Sequence, residues 1–333
     1  MLISETNMGG RVGGSEPGVG DSHEARTGLE RITTGTGLLV VMGAARPLGR
    51  AVLGELAAAG SNVRGVALDA AAVDGSFPAS VEIVAADPLK PGSLVEACRG
   101  GGVIYDCFEP SHSNWKRAFR EATGSVLLAS IEVGADLVLA NHLIAQEDEN
   151  ASMEKDLLNA HRSNLIRTLV ARMPQLYGEG VVNRLWQDIF ESAVLGKKAH
   201  WMGDPDVARS LLYVGDAASK MILLGRSPWA YGRIWNLSGP APITGRAFIE
   251  SAFKAAGRKP NVGRWGRGVM LTGRLLSSDA KGFLELPYNY YDPFVLDGSE
   301  FVEAFPSTTY TPHEEAIATT YKWFDDRLRV NSH

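Results

Sequence analysis

The chain has 333 residues, 45% of them hydrophobic and 21% charged, a composition typical of a globular protein with one large α/β domain and a smaller lobe. Its formal net charge of -5 at pH 7 argues against nucleic acid or an anionic membrane as a partner. It has no apolar run of about 18 residues and no secretory leader pattern, so we expect a soluble cytoplasmic protein.

Residues 1–36 are rich in glycine, serine, threonine and charge and show no apolar periodicity. Such a segment cannot bury enough apolar surface to offset the chain entropy that folding removes. We predict that residues 1–36 form a disordered tail and that function lies in the remainder. The two cysteines, Cys98 and Cys107, are too few for a metal cluster or a disulfide framework, so we expect reduced thiols.

Regular structure is predicted to begin at 38–42, an apolar run typical of a strand buried on both faces. A helix over 47–59 follows, with proline at its start and Gly60 just beyond its end. The alternation continues and predicts a doubly wound parallel sheet, a Rossmann fold of the α/β class. Further strands are predicted at 63–69, 81–86, 103–108, 137–140 and 166–171, with helices near 93–98, 115–133 and 153–162.

The pattern changes after Tyr177. A helix is predicted over 184–195, and short strands at 209–214 and 234–237 are expected to rejoin the sheet. We predict a Rossmann domain over 37–240, whose residues 176–204 contribute to a smaller C-terminal substrate lobe formed by 241–330. That lobe would cover the carboxyl edge of the sheet, where such folds bind ligands. Its aromatic residues either line a substrate pocket or pack the lobe: Phe283, Tyr288, Tyr290, Tyr291 and Phe294.

The segment 43–49, Gly-Ala-Ala-Arg-Pro-Leu-Gly, connects the first predicted strand to the first predicted helix. A pyrophosphate needs free backbone N–H groups at a helix N-terminus and a loop without obstructing side chains. Gly43 allows a tight turn and Gly49 allows the helix to pack close to the strand, although Arg46 or Pro47 replaces the usual middle glycine. This context predicts a dinucleotide site, with a purely structural turn as the alternative.

Two side chains bear on which dinucleotide binds, and a third is placed near the adenine that both dinucleotides share. Asp69 lies twenty residues beyond Gly49, near the position of an acid that binds a ribose 2′-hydroxyl, which favours NAD. Arg46 lies in the loop itself, where a guanidinium can bind a 2′-phosphate, which favours NADP. We give NADP a slight preference and keep NAD as the alternative. Asp87 follows the third strand, where it meets the adenine amino group or simply opens a turn.

With these segments, the chain resembles the short-chain dehydrogenase/reductase superfamily, in its extended branch of epimerase- and dehydratase-like proteins. The likeness spans about residues 37–327 and rests on the segments 43–49, 86–87, 172–178 (Arg-Met-Pro-Gln-Leu-Tyr-Gly) and 211–218 (Leu-Leu-Tyr-Val-Gly-Asp-Ala-Ala). It implies an NAD(P) cofactor and a small-molecule substrate. We predict that the cofactor is contacted by ten residues: Gly43, Ala45, Arg46, Leu48, Gly49, Asp69, Asp87, Cys107, Phe108 and Gln175.

The chain departs from this family where its reductases and epimerases carry a Tyr-x-x-x-Lys motif on the helix after the fifth strand. The lysine lowers the pKa of the phenol, which passes a proton to the substrate oxygen. No Tyr-x-x-x-Lys occurs in the sequence, and the residue four before Lys155 is Ala151. Asn141 and His142 also replace the family's serine just after that strand. We therefore expect an atypical member that has kept its binding half and lost its usual proton relay.

Three residues are catalytic candidates in place of that relay. His142 is the first candidate proton donor because an imidazole titrates near neutral pH, with a solvent-facing loop histidine as the alternative. Asn141 would orient a carbonyl or a water, or serve only as a turn residue. Tyr177 would approach the nicotinamide from the opposite loop, or pack its ring against the cofactor edge. Glu109, Ser111 and His112 follow the fourth strand, where the chain passes under the expected nicotinamide ribose, and one of them is a candidate for a substrate contact. For Ser111 the alternative is a capping role before the helix that starts at Trp115.

These residues favour a nicotinamide-dependent oxidoreductase, specifically a ketoreductase that acts on a bulky, weakly polar small molecule with a proton source other than tyrosine. Two alternatives remain. One is an isomerase, dehydratase or cyclase that retains NAD(P), and the other is a non-catalytic protein that senses the NAD(P) redox ratio. A homodimer is a further expectation.

Overall fold

The computed structural model describes residues 37–73, 77–109, 115–143, 147–266 and 290–330. The predicted tail at 1–36 lies outside the described residues. In chain order the strands are β1 (Leu38–Met42), β2 (Val63–Ala67), β3 (Glu82–Ala85), β4 (Gly101–Asp106), β5 (Asp136–His142), β6 (Thr168–Met173), β7 (Gln175–Tyr177), β8 (Ala199–Met202), β9 (Ala208–Arg209), β10 (Leu211–Tyr213), β11 (Ile234–Asn236), β12 (Ile243–Thr244) and β13 (Val262–Trp265). The helices are α1 (Pro47–Ala58), α2 (Pro91–Cys98), α3 (Trp115–Val133), α4 (Glu147–Arg162), α5 (Arg184–Leu195), α6 (Val214–Gly225), α7 (Gly245–Ala255), α8 (Ser299–Ala304) and α9 (His313–Val330).

Seven of these strands form one parallel sheet in the order β11-β6-β5-β4-β1-β2-β3. The chain runs outward from β1 to β3 on one side and then from β4 to β6 on the other. A crevice opens where the order reverses, outside the carboxyl ends of β1 and β4, and doubly wound sheets bind ligands at that point. The predicted doubly wound parallel fold is confirmed.

Helices cover both faces of this sheet because its strands are apolar on both sides. On one face α1 and α6 contribute Val52, Leu53 and Met221 to a core that includes Tyr105 and Trp235. On the other face α2, α3 and α4 bury residues such as Leu94, Val126 and Leu157. In the part of the chain that the structure describes, no helix combines the length and hydropathy needed to cross a bilayer.

A third core, which we call the lobe core, lies outside the main sheet. Helices α5, α7 and α9 bury large rings there together with β8, and the β8–β13 pair forms a small parallel sheet beside it. Its largest side chains are Trp186, Phe190, Trp201, Phe248, Phe253 and Phe324. The lobe therefore has its own apolar interior, built from residues both before and after 240.

The prediction that residues 209–214 rejoin the main sheet is wrong. β10 pairs in parallel with β7, and β9 pairs with β12, so each lies in a separate two-stranded sheet. The physical cause lies at Pro174, which separates β6 from β7 and has no N–H for the main ladder. The chain leaves the large sheet at that proline, and the next strand, β7, pairs with β10 instead. β11 does rejoin the sheet, beside β6, as predicted.

Strand ends differ from the predictions at the edge that matters for function. β2 ends at Ala67, so Asp69 lies beyond it, and β4 ends at Asp106, so Cys107 and Phe108 lie beyond it. β5 was expected to end at residue 140 but continues to His142. The last two residues of β5 pair with Arg172 and Met173 of β6, and this long-range pairing extends the strand.

Candidate functional site

The turn between β1 and α1 is packed so closely that only glycine fits at its two ends. Gly43 has a φ of 74°, and a β-carbon there would lie 2.5 Å from the carbonyl oxygen of Cys107. A β-carbon on Gly49 would lie 2.2 Å from the carbonyl oxygen of Gly43. The first helical turn therefore sits directly on the end of β1, which is the arrangement that the two glycines predicted.

The same turn presents backbone amides to the crevice. The amide of Arg46 donates to the carbonyl of Gly43 at 2.7 Å and closes the turn. α1 begins at Pro47, and no side chain caps it. The amides of Leu48 and Gly49 lie in its first turn, where N–H groups have no acceptor within the helix. A diphosphate bound here would supply acceptors to these amides at the positive end of the helix.

The side chains predicted to meet the adenosine half lie at the carboxyl ends of β2 and β3. Asp69 is exposed and its Oδ1 accepts the amide of Ala71 at 2.9 Å, which caps a short 3-10 turn. Asp87 Oδ1 accepts the amide of Leu89 at 3.0 Å, so this carboxylate opens a turn. Arg46 is exposed beside the cradle. The cofactor contacts of all three remain predictions.

Sequence reasoning missed Asp106, the last residue of β4. It is 1% exposed, its Oδ1 accepts the amide of Phe108 at 3.1 Å, and its Oδ2 has no hydrogen-bond partner among the described residues. Burial raises the pKa of this carboxyl to about 7. Cys107 is buried, and burial raises the pKa of its thiol well above the ordinary range, so it is not a nucleophile at neutral pH.

Asn141 and His142 close β5 on opposite faces of the sheet. Asn141 is fully buried, and its Nδ2 donates to Glu154 Oε1 of α4 at 2.7 Å. The same Oε1 accepts Nε of Arg172 at 2.7 Å, so the three side chains form one network around the buried carboxylate of Glu154. The Oδ1 of Asn141 has no partner among the described residues, and whether Asn141 contacts a ligand remains a prediction.

His142 is the half-buried end residue of a strand, not a residue of a solvent-facing loop. Desolvation lowers the pKa of its imidazole, and the charge of Glu109 partly opposes that shift. The imidazole is therefore neutral at physiological pH and able to accept a proton. Glu109 itself is exposed, three residues beyond the end of β4.

Tyr177 and Gln175 lie on β7, which begins one residue after β6 ends but pairs with β10 instead of joining the main sheet. Tyr177 is fully buried in the lobe core, and its hydroxyl lies 2.9 Å from Nδ1 of His313. Burial raises the pKa of this phenol. Gln175 Oε1 accepts the hydroxyl of Tyr290 at 3.4 Å. The role of Tyr177 in proton transfer and that of Gln175 in cofactor binding remain predictions.

Of the five aromatic residues expected near the lobe, Tyr291 is half-buried and the other four fall into two groups. Phe283 and Tyr288 lie outside the described residues. Tyr290 and Phe294 pack against the buried guanidinium of Arg209, with ring centroids 4.9 and 5.5 Å from its central carbon. These two rings take part in packing the lobe, which is the second of the two roles that the sequence left open.

The structure therefore brings three predicted segments to one edge of the sheet: the 43–49 turn, residues 107–108 and residues 141–142. Tyr177 and Gln175 lie on a different small sheet. Sequence reasoning missed Asp106 and Glu154. The position of Asp106, an acidic residue at the end of the apolar run Val-Ile-Tyr, was a signal that could have identified it.

Comparisons with known proteins agree with this geometry. Residues 150–238 match the model of the NAD dependent epimerase/dehydratase family. An epimerase from Methanothermobacter thermautotrophicus superposes with a TM-score of 0.73 at 15% identity, over 92% of this chain and 98% of that chain. The dTDP-glucose 4,6-dehydratase DesIV from Streptomyces venezuelae, with NAD and TYD bound, gives 0.70 at 15% identity, over 88% and 98%.

A UDP-glucose 4-epimerase from Thermus thermophilus in complex with NAD gives a TM-score of 0.69 at 17% identity, over 86% of this chain and 98% of that chain. No curated protein matches the chain. At these identities the solved structures establish the fold. Together with the family match over residues 150–238, they confirm the resemblance to epimerase- and dehydratase-like proteins.

Proposed function

We propose that this chain, which shares the fold of epimerase- and dehydratase-like proteins, is an NAD-dependent oxidoreductase that interconverts an alcohol and a carbonyl group on a small molecule. One observation carries the proposal: the uncapped start of α1, held against the end of β1 by Gly43 and Gly49, lies at the same carboxyl edge of the sheet as His142 at the end of β5, with β4 between the two strands. The turn suits a diphosphate, and the imidazole suits proton transfer.

His142 is the proton carrier in this proposal. Bound NAD supplies the acceptor for a hydride from the substrate carbon. The substrate hydroxyl gives its proton to the imidazole nitrogen, which is neutral because desolvation lowers its pKa. In the reverse direction, the ketoreductase reaction that the sequence favoured, the protonated imidazole returns that proton to the oxygen of the carbonyl.

The proposal takes NAD rather than the NADP that the sequence slightly favoured. Asp69 lies two residues past β2 with an exposed carboxylate, where it can accept ribose hydroxyls and would repel a 2′-phosphate. Two of the similar solved structures contain NAD. Arg46 supports the opposite choice, and substitution of each residue distinguishes the two.

A direct test uses the imidazole of His142 as a probe of the nicotinamide position. NMR titration of the His142 ring should give a lower midpoint with NAD than with NADH, since the oxidised ring carries a positive charge that disfavours imidazolium. His161, which lies beside the Thr168 amide at the amino end of β6 and so at the opposite edge of the sheet, provides the control, and its midpoint should be the same in both complexes. Equal midpoints for His142 in the saturated NAD and NADH complexes would show that the nicotinamide does not bind near this strand end.

Activity is tested with His142→Asn and the control His200→Asn. NADH oxidation is followed with a panel of quinones and aryl ketones, and NAD reduction with a matching panel of alcohols. His142→Asn should slow turnover about 10²–10⁴-fold, the usual contribution of a general acid–base group. His200→Asn should retain the wild-type rate. No activity of the wild type on either panel would count against net redox chemistry.

A redox-neutral epimerase or dehydratase is the second candidate, and the family match over 150–238 favours it. In that case the hydride returns to the same substrate molecule. The purified protein would retain NAD, convert a nucleotide sugar without an external hydride acceptor, and show no net change in NADH absorbance. Carbon NMR of nucleotide sugars incubated with the protein separates this candidate from the first.

A further inference from the structure

Glu154 of α4 joins the ends of two neighbouring strands of the main sheet. Its carboxylate is 2% exposed and accepts Nδ2 of Asn141 on β5 and two guanidinium nitrogens of Arg172 on β6. Asn141 and Arg172 are register partners, so the carboxylate binds both members of one cross-strand pair. The next pair, His142 and Met173, is the last of both strands.

The helix that carries Glu154 is attached to β6 at a second point. The hydroxyl of Thr168, the first residue of β6, donates to the carbonyl of Leu157 at 2.7 Å. Glu154 lies one turn before Leu157 in α4, and it binds Arg172 near the other end of β6. Because α4 is held along the length of β6, the carboxylate has a fixed place over the ends of β5 and β6.

This arrangement acts on His142 through the backbone. Side chains alternate along β5, so Asn141 faces α4 and His142 faces the opposite side of the sheet. Just beyond the imidazole, the amide of Leu143 donates to the carbonyl of Met173 at 2.9 Å. The end of a strand opens readily unless tertiary contacts hold it. The bonds to Glu154 hold the residue directly before His142.

The network requires a carboxylate because each group that it binds is a donor. The amide of Asn141 presents Nδ2, and a guanidinium has donors only. A glutamine in place of Glu154 would offer one accepting oxygen and place an NH2 group against these donors. A buried ion pair contributes little more stability than apolar packing of the same volume. Its distinctive contribution at this place is the single geometry that it imposes on the strand ends.

We propose that Glu154 is a positioning residue for the reaction, because its bonds to Asn141 and Arg172 fix the strand end from which His142 exchanges a proton with the substrate. This inference rests on the proposed function, in which His142 is the proton carrier. Misplacing a reacting group by about 1 Å lowers the rate about 10²-fold. Turnover should therefore depend on Glu154, although its carboxylate lies on the opposite face of the sheet from the imidazole.

Asp136 provides a matched control at the other end of the same strand. It is the first residue of β5, and its carboxylate accepts Nε of Arg167 at 2.9 Å. The side chains of Asp136 and Arg167 are 13% and 9% exposed. Glu154→Gln and Asp136→Asn each replace the carboxylate of a largely buried ion pair with an amide of the same shape. Urea unfolding measures how much stability each replacement removes.

Hydrogen exchange of backbone amides tests the positioning itself in the full chain, without substrate or dinucleotide. Glu154→Gln should speed exchange of the Leu143 amide about tenfold or more, the effect of losing one hydrogen bond to a charged group. It should leave exchange of the Leu137 amide, which donates to the carbonyl of Arg167, at the wild-type rate. Asp136→Asn should do the reverse. Unchanged exchange at Leu143 in Glu154→Gln overturns the inference.

Arg172→Lys takes the place of Glu154→Gln if that chain fails to fold. It keeps the positive charge beside Glu154 and loses the two-point contact of the guanidinium. Exchange of the Leu143 amide should again be faster than in the wild type. A wild-type exchange rate in Arg172→Lys, in a chain where Glu154→Gln does not fold, also overturns the inference.

Activity gives the link to the reaction. With an alcohol that supports NAD reduction by the wild type, Glu154→Gln should lower kcat by up to about 10²-fold and leave the KM for NAD unchanged. Asp136→Asn should keep the wild-type kcat. Equal losses of kcat in the two variants would mean that destabilisation alone slows the reaction, which overturns the inference. Full activity of His142→Asn would instead refute the proposed function, whatever the effect of Glu154→Gln.

Discussion

In the proposed function, Gly43 is the residue on which dinucleotide binding should depend most, because its backbone is left-handed and lies against the carbonyl of Cys107. Gly60 is a matched control, with a φ of 71° and nothing within 4 Å of an added β-carbon. Gly60→Ala should lower the free energy of unfolding by about 1 kcal/mol and leave NAD affinity unchanged. Gly43→Ala should weaken NAD binding about tenfold or more. The added methyl group displaces the turn, and a loss of about 1.4 kcal/mol of binding free energy corresponds to a tenfold loss of affinity.

Calorimetric titration with NAD measures the affinity of both variants, and urea unfolding measures their stability. Equal NAD affinity in the two alanine variants would show that the close approach to Cys107 has no part in binding.

The choice of dinucleotide is also a property of single residues. Asp69→Ala should weaken NAD binding by about 1.5–3 kcal/mol, the value of hydrogen bonds to a charged group, and change NADP binding little or improve it. Arg46→Ala should leave NAD binding nearly unchanged. Asp156→Ala, at an exposed position on α4, is the control. A larger loss of NADP than of NAD affinity in Arg46→Ala, with no effect of Asp69→Ala, would restore the NADP preference.

At the scale of elements, the carboxyl end of β5 is held by a network from β6 and α4. Glu154 is 2% exposed and binds both Asn141 and Arg172, and the side chain of Arg172 is 33% exposed. Glu154→Ala leaves one donor of Asn141 and two donors of Arg172 without an acceptor, and breaking a largely buried pair costs about 3 kcal/mol. Glu121→Ala removes an exposed pair with Arg117 and should cost about 0.5 kcal/mol or less.

Urea unfolding gives both free energies for that pair of variants. A cost for Glu154→Ala as small as that for Glu121→Ala would mean that β5 keeps its last two residues in place without the network.

Across the whole molecule, the main sheet and its helices were predictable because local apolar runs and glycines mark them. For example, the apolar run 38–42 predicts β1 and the glycine directly after it predicts the turn, so neither prediction needs information from distant parts of the chain. The extension of β5 depends on Arg172, and the partner of Tyr177 is His313, 136 residues away. No local pattern encodes such contacts. Asp106 was hidden because an acid at the end of an apolar run is also compatible with an ordinary strand end.

Asp106 ties the stability of the whole chain to pH. Burial raises its pKa from the ordinary 3.8 to about 7 in the folded chain, so the folded state holds a proton that the unfolded state releases. The stability that this proton supplies is fully present below about pH 4 and is lost as pH rises to about 7. Relative to Asp106→Asn, the unfolding free energy of the wild type should fall by about 1.4 kcal/mol per pH unit between these values and stay level above them.

Urea unfolding of the two chains at a series of pH values yields this difference curve, in which contributions from other groups cancel. Asp106→Asn keeps an oxygen that can accept the Phe108 amide, so it removes the buried charge while preserving that contact. It should therefore be the more stable chain at pH 8. A difference that is independent of pH would mean that water or a ligand group reaches Asp106 Oδ2 and solvates the carboxylate, because only an unsolvated carboxylate retains its proton to pH 7.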